Sequence, residues 1–332
     1  MKKRKLTLSD IAALAGVSKS TVSFVMNGHA KKHRINEQTV QRITAIVEEY
    51  NYKPSTYARA LTSKSTFTVG LVIPDLTNLG FATTAKLLER LFREKGYQLL
   101  IAASEDSPDI EKHAIETLID RQVDVLLVAT SMTDERYLQD VRKHTPVLLF
   151  DRELKGADFV TVKSDQISAT QRLVSKLAKG AEECFYIGGQ LELSPSTERL
   201  QGYKLGMQDA QLELNHSHIF HKDYQPNSGY ESMREIHTNL GRLPKAVFTA
   251  SFTLLEGVLR YLSEHNELNN DVRLATFDNS QILDCLPFKI DSIEQNHEHI
   301  AEAVFELSLT LIEGKTSDTL VHNITATIHN RR

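Results

Sequence analysis

Four apolar, β-type runs in this 332-residue chain end on polar side chains that could hold a ligand. Asp75 follows VGLVIP, Asp151 and Arg152 follow PVLLF, Ser251 follows VFTA, and Asp278 follows RLATF. Carboxylates beside an arginine suit a polyhydroxylated molecule, because each carboxylate accepts from adjacent hydroxyls while the guanidinium fork donates to them. The same residues could equally cap helices or close loop salt bridges, so position alone leaves both uses open. A second group lies near the N-terminus. Lys19, Ser20, Ser23 and Phe24 fall on one short helical stretch, and Lys31, Lys32 and Arg34 on the loop behind it. Cations and hydroxyls packed that closely suit the phosphates of a nucleic acid backbone.

Catalysis has less support. GxSxG, HExxH and P-loop patterns are missing, so no activated nucleophile, metal pair or phosphate cradle is indicated. His216, His218 and His221, and the pair His297 and His299, have spacings that could bring two metal ligands together, yet exposed histidines are the expectation. We expect no enzymatic activity, no cofactor and no metal. Cys184 and Cys285 lie far apart with no CxxC spacing and read as two thiols in a reducing compartment. The basic start, MKKRKLTLSD, has no apolar segment behind it, and no apolar run reaches the roughly 18 residues of a spanning helix. A cytoplasmic protein is expected.

Charge divides the chain unevenly. The first 64 residues hold twelve Lys and Arg against four Asp and Glu, a net +8; because the whole chain carries −4, the remainder carries −12. A basic head on an acidic body is the footprint of a polyanion-binding module joined to something that avoids the polyanion. With 41% hydrophobic and 25% charged residues, the chain as a whole is that of an ordinary globular protein.

The basic head must place its cations on short helices. Thr7 caps a helix through Ile11, Leu14 and Ala15, with Asp10 completing a capping box and Gly16 able to end it in a left-handed conformation. Ser18 then caps a second helix running toward Asn27 and Gly28, and a connection as short as Gly16-Val17-Ser18 forces the two to cross steeply, as helix-turn-helix pairs do. Lys19, Ser20, Ser23 and Phe24 would face outward from the second helix. A third amphipathic helix runs from an Asn36 cap through Val40, Ile43, Val47 and Tyr50. After Pro54, the stretch STYARAL has one or two turns of helical potential, too short to stand alone in water.

The body alternates buried β-runs with helical stretches: FTVGLVIP, YQLLIAAS, VDVLLVAT, PVLLFD, FVTVKS, CFYIGG, HSHIFH, KAVFTAS, RLATFD and FKIDSIEQ. That alternation predicts an α/β fold of parallel sheets wrapped in helices. About ten strands are many for one such sheet, and the tract near Asp158 permits a division into two lobes, with a ligand at the carboxyl ends of the strands.

The run LSDIAALAGVSKSTVSFVMNG followed by EEYNYKP resembles the DNA-binding headpiece of the lactose-repressor family of bacterial regulators, and the resemblance extends through all 332 residues. Its AGVSxxTVSxxxN pattern is highly specific. The resemblance implies residues 1–53 as a helix-turn-helix headpiece, 54–66 as hinge helix and linker, and 67–332 as a two-lobed, periplasmic-binding-protein-like domain that binds sugar and dimerises. It places chain crossings between the lobes near residues 160, 290 and 320. Lys19, Ser20 and Phe24 would contact bases, although Phe24 stands where many members carry Arg and offers apolar contact alone. Thr7, Ser18, Thr21, Ser23 and Asn27 would lie along the same DNA face. Lys31, Lys32 and Arg34 would meet phosphates, and Tyr57, Ala58 and Leu61 would belong to the hinge, with Leu61 wedged into the minor groove.

In the body the resemblance implies a sugar site of Asp75, Asn78, Phe81, Asp151, Arg152, Arg199, Ser251, Asp278 and Gln295, with Ser251 departing from the common Asn. The stretches LSPSTERLQGY, YQPNSGYE and FTASFTLLEGVLRYL point to the branch responding to sucrose, fructose or a fructose phosphate. The expected function is repression of sugar-utilisation genes, released from double-stranded operator DNA by that effector. A homodimer is expected, because each headpiece reads one half-site and no heptad tail follows the last β-run before His329-Asn330-Arg331-Arg332.

Overall fold

The computed structural model describes residues 6–52, 65–268 and 271–332. The chain divides into two compact units, Met1–Thr66 and Phe67–Arg332. The expected hinge positions Tyr57, Ala58 and Leu61 lie outside the described residues.

Helices α1 (Leu8–Ala15), α2 (Lys19–Met26) and α3 (Glu37–Glu49) make the first unit. Local chemistry sets each boundary. The Thr7 hydroxyl accepts from the Asp10 backbone while the Asp10 carboxylate accepts from the Thr7 backbone, closing a capping box; Gly16, at φ 65°, ends α1 in the left-handed region. Ser18 caps α2 by accepting from Thr21 N, and Asn36 caps α3 by accepting from Thr39 N. Ile11, Ala12, Ala15, Val22 and Ile43 meet in one small core, so the α1–α2 pair is held by side chains from all three helices.

In chain order the second unit runs β1 (Thr68–Ile73), α4 (Leu79–Glu94), β2 (Gln98–Ala103), α5 (Pro108–Asp120), β3 (Val125–Val128), α6 (Arg136–Arg142), β4 (Val147–Phe150) and β5 (Thr161–Ser164). There follow α7 (Gln166–Ala178), β6 (Phe185–Gly188), α8 (Ser194–Asp209), β7 (Ile219–His221), α9 (Pro226–Leu240), β8 (Ala246–Thr249), α10 (Phe252–Glu264) and β9 (Arg273–Phe277). The chain closes with β10 (Ile290–Glu294), α11 (His297–Ile312), β11 (Val321–Ile324) and β12 (Thr327–His329). Two six-stranded sheets result, ordered β11-β5-β4-β3-β1-β2 and β12-β10-β9-β8-β6-β7. All pairings are parallel except β10 with the edge strand β12.

The described residues thus hold twelve strands where the apolar runs indicate about ten. The additional two, β11 and β12, lie at sheet edges and carry His322, Asn323 and His329, so they lack a continuous apolar signal. The division near Asp158 also needs correction. Asp158 precedes β5, which still pairs in the first sheet, and the chain changes lobe after Ser164, where α7 packs Ala169, Leu173 and Val174 against Tyr186 and Phe248 of the second. It returns between β10 and α11, whose Ile300, Ala301 and Val304 join Leu88 and Phe92 under the first sheet, and crosses last between β11 and β12. Each crossing falls about five residues after the expected place.

Close approach of α7 and α8 fixes the frame on which Glu198 and Arg199 sit. A Cβ at Gly202 would stand 2.5 Å from the Ile167 carbonyl oxygen, and one at Gly206 2.8 Å from that of Gln171, so only glycine lets the two helices touch.

Candidate functional site

A cavity of about 410 Å³ lies between the lobes, at the carboxyl ends of the strands. All nine expected ligand residues line it: Asp75, Asn78, Phe81, Asp151 and Arg152 from the first lobe, Arg199, Ser251 and Asp278 from the second, and Gln295 from the crossing between them. Asp151 and Asp278 adopt left-handed backbone conformations, φ 62° and 69°, at the ends of β4 and β9. Such a conformation is uncommon outside glycine, and here it turns the chain at two strand ends that face one cavity.

Each arginine is buried to 5% exposure and oriented by neighbours. Arg152 Nη1 lies 2.7 Å from Asp106 Oδ1 and donates to the Thr130 carbonyl at 3.3 Å, while its Nε has no hydrogen-bond partner. Arg199 donates from Nε to Gln166 Oε1 and from Nη1 to the Ala250 carbonyl, both at 2.6 Å, with its guanidinium 3.8 Å from the Phe277 ring centre. Burial pushes the Asp151 carboxyl above the usual carboxylate range; Arg199 and Arg152 pull it down and Asp278 adds to the rise. Gln295 links the lobes: its Oε1 accepts from Ser164 Oγ, and its Nε2 donates to Asp278 Oδ1, both at 2.8 Å.

Three of the nine also carry out the local tasks left open by their positions. Asp75 accepts from the backbone and hydroxyl of Thr77, Asn78 caps α4 through Gly80 and Phe81, and Ser251 caps α10 through Leu254 N.

Sequence reasoning missed Asp106, Tyr224, Glu256 and His297, which share the cavity wall. Asp106 follows the YQLLIAAS run and carries the same strand-end signal as the others. Tyr224 gives no comparable signal: its hydroxyl meets Ser196 Oγ at 2.8 Å through a contact between residues far apart in the chain. The exposed surface expected for His297 is corrected. It is half-buried at the start of α11, its Nδ1 3.0 Å from the Thr84 hydroxyl, and burial lowers its pKa against the opposing pull of Asp278, Asp151 and Glu294. Of the other histidines, His218 packs against Phe185 with the rings tilted by 35°, whereas His216, His221 and His299 are exposed. Among the described residues no group of His, Cys, Asp and Glu is placed to hold a metal.

In the first unit, Lys19, Ser20, Asn27, Lys31, Lys32 and Arg34 are exposed. Ser18 is tied to Thr21 and Ser20 by hydroxyl contacts of 2.8 Å, and Asn27 donates to Ser23 Oγ at 3.3 Å. Thr7 is held within its capping box. Phe24 is half-buried and lies flat on His33, ring centres 3.5 Å apart, so one ring face is covered and an edge remains outward.

A basic helix-turn-helix and a two-lobed ligand cleft are together the parts of a ligand-responsive DNA-binding regulator, not of an enzyme. Residues 7–55 match the family described as bacterial regulatory proteins, lacI family, and residues 69–316 match a periplasmic binding protein domain. The chain therefore belongs to the lacI family of bacterial regulators. It is 40% identical over 332 residues to the sucrose operon repressor of Klebsiella pneumoniae, covering all of this chain and 99% of that one. To the fructose operon regulatory protein of Vibrio cholerae it is 40% identical over 307 residues, 92% of this chain and 93% of the other. Among solved structures, the Cra regulator of Pseudomonas putida, determined with fructose 1-phosphate, superposes with a TM-score of 0.75 at 33% identity, covering 80% of this chain and 99% of that one. Among the described residues no helix is long and apolar enough to cross a membrane.

Proposed function

We propose that this protein is a cytoplasmic, dimeric repressor of sugar-utilisation genes, released from its operator when sucrose, fructose or a fructose phosphate fills the cleft. One observation carries this reading: two buried arginines and two strand-end aspartates converge on a single cavity contributed by both lobes. A ligand gripped from both sides favours one arrangement of the lobes, and preferential binding to that arrangement is all a population shift requires. In this reading Asp151 and Asp278 accept from sugar hydroxyls and Arg199 and Arg152 donate. Residues 1–53 form the DNA-binding headpiece, 54–66 the hinge and 67–332 the sugar-binding and dimerising body. The relatives named for sucrose and fructose operons, and the one solved with fructose 1-phosphate, support that choice of effectors.

The direct test is operator binding by the purified protein, titrated with sucrose, fructose and their phosphates. Release is expected; a sugar that tightens the complex overturns the mechanism. On the DNA side, Lys19 is exposed at the start of α2, where a phosphate would also meet the helix dipole. Lys19→Ala is expected to weaken binding and to lower the slope of log K against log salt by about 0.9 for each phosphate that Lys19 neutralises, one in each headpiece. Unchanged affinity at both low and high salt would remove Lys19 from the interface.

A further inference from the structure

The charge balance of the cleft defines its ligand more narrowly. Five carboxylates line it, Asp75, Asp106, Asp151, Glu256 and Asp278, against two cations, Arg152 and Arg199, and no lysine is among the lining residues. Both cations also hold protein partners, Arg152 with Asp106 and Arg199 with Gln166 and the Ala250 carbonyl, so neither is wholly available to a ligand. A phosphate dianion placed here would face a surplus of negative charge in a partly desolvated space, where like charges repel most strongly.

Capping side chains and prolines reduce the backbone donors that could offset this charge. Helix starts are ready anion sites only while their first N–H groups are free. At the cleft, Asn78 accepts from Gly80 N and Phe81 N in α4, Ser251 from Leu254 N in α10, and Asn296 from His299 N in α11. The two other helix starts on the wall place Pro195 and Pro226 there, and proline has no N–H to offer. Hydroxyl groups, by contrast, fit every feature. Carboxylates accept from vicinal hydroxyls, and the buried Nε of Arg152, without a hydrogen-bond partner and 3.9 Å from Asp151 Oδ2, can donate to a sugar oxygen without adding negative charge beside that carboxylate.

We infer that the effector is a neutral, unphosphorylated polyhydroxylated sugar, and that the carboxylate-rich cleft discriminates against its phosphate esters. This rests on the cleft being the effector site proposed above.

Calorimetry on the full-length protein with fructose, sucrose, fructose 1-phosphate and fructose 6-phosphate tests it, with operator release measured in parallel. At least one neutral sugar is expected to bind ten times or more tighter than either phosphate ester. Asp106→Asn combined with Glu256→Gln, which leave Asp75, Asp151 and Asp278 in place, should narrow that gap at least threefold by weakening the repulsion. An ester that binds as tightly as the neutral sugars, or tighter, overturns the inference and leaves the effector-site reading intact. A wild-type protein that binds none of the four and releases operator with none overturns the effector-site reading itself, and this inference with it.

Discussion

Replacing Lys163 with methionine is expected to destabilise the two-lobed unit by about 3 to 5 kcal/mol, the range for removing one partner of a buried ion pair. Lys163 points from β5 into a nearly closed space between two carboxylates, pairing with Glu153 and lying 2.6 Å from Glu198. Its side chain is 10% exposed and that of Glu198 is 8%. Burial alone would push the ammonium pKa down, but hydrogen bonds to Glu153 and Glu198 reverse this and hold it above the usual lysine value. Without the ammonium, two carboxylates would share the space with no cation between them.

The triad also joins the lobes. Glu153 follows β4 in the first lobe, Glu198 sits on α8 in the second, and the Glu153 backbone donates to Ser194 Oγ at 2.8 Å across the same junction. Each glutamate adjoins a cleft arginine, Arg152 or Arg199, so the tie and the ligand site share two backbone segments. Urea unfolding of Lys163→Met measures the loss. The triple variant with Glu153→Gln and Glu198→Gln, in which no uncompensated charge remains, should recover most of it. A single-variant loss below about 1 kcal/mol, the range of exposed pairs, would show that the triad is open to water.

How much of this was legible beforehand depends on how local each cause is. Thr7 with Asp10, Gly16, Ser18 and Asn36 set helix ends through partners within three or four residues, and those boundaries could be read from spacing alone. Strand-end residues were legible for a different reason: in a parallel sheet every carboxyl end faces the same way. Asp75 and Asp151 therefore emerge at one edge of the first sheet and Asp278 at the matching edge of the second, and the cleft between the lobes brings the two edges together. Contacts that depend on the lobes being threaded together were not legible. The pairing of His297 with Thr84 joins residues 213 apart, and Lys163 with Glu198 joins strand to helix across a crossover. The lobe boundary near residue 165 was likewise hidden, because β5 and the start of α7 give no break in composition. Phe24 lies between these cases: its apolar character was evident, but its cover by His33 depends on how the loop of Lys31, Lys32 and Arg34 folds back.

Replacing Arg199 with alanine is expected to abolish release by sugar while leaving operator affinity within about threefold of the parent, since a charge-assisted hydrogen bond is worth about 1.5 to 3 kcal/mol. Losing two such donor sites toward a ligand would weaken sugar binding by about a hundredfold or more. The guanidinium also balances Asp151 and Asp278, so its loss leaves two carboxylates with a single cation, Arg152, opposite them. Some stability should go too. Gln166 Oε1 and the Ala250 carbonyl lose their donor, although water admitted to a cavity of this size can replace it. Arg199→Lys separates charge from geometry: it keeps the cation but cannot reach Gln166, Ala250 and a ligand as a planar fork over Phe277, so partial recovery of binding is expected. Coupling between two sites typically amounts to about 1 to 3 kcal/mol, or 5- to 150-fold, and it is reciprocal. Operator DNA should therefore weaken sugar binding to the parent protein by the factor that sugar weakens operator binding. In Arg199→Ala both factors should fall toward one together, because a ligand that no longer grips both lobes has no preference between their arrangements. Release of Arg199→Ala at the parent's sugar midpoint would remove Arg199 from the effector site, and loss of operator binding by the folded variant would assign it to the repressing conformation instead.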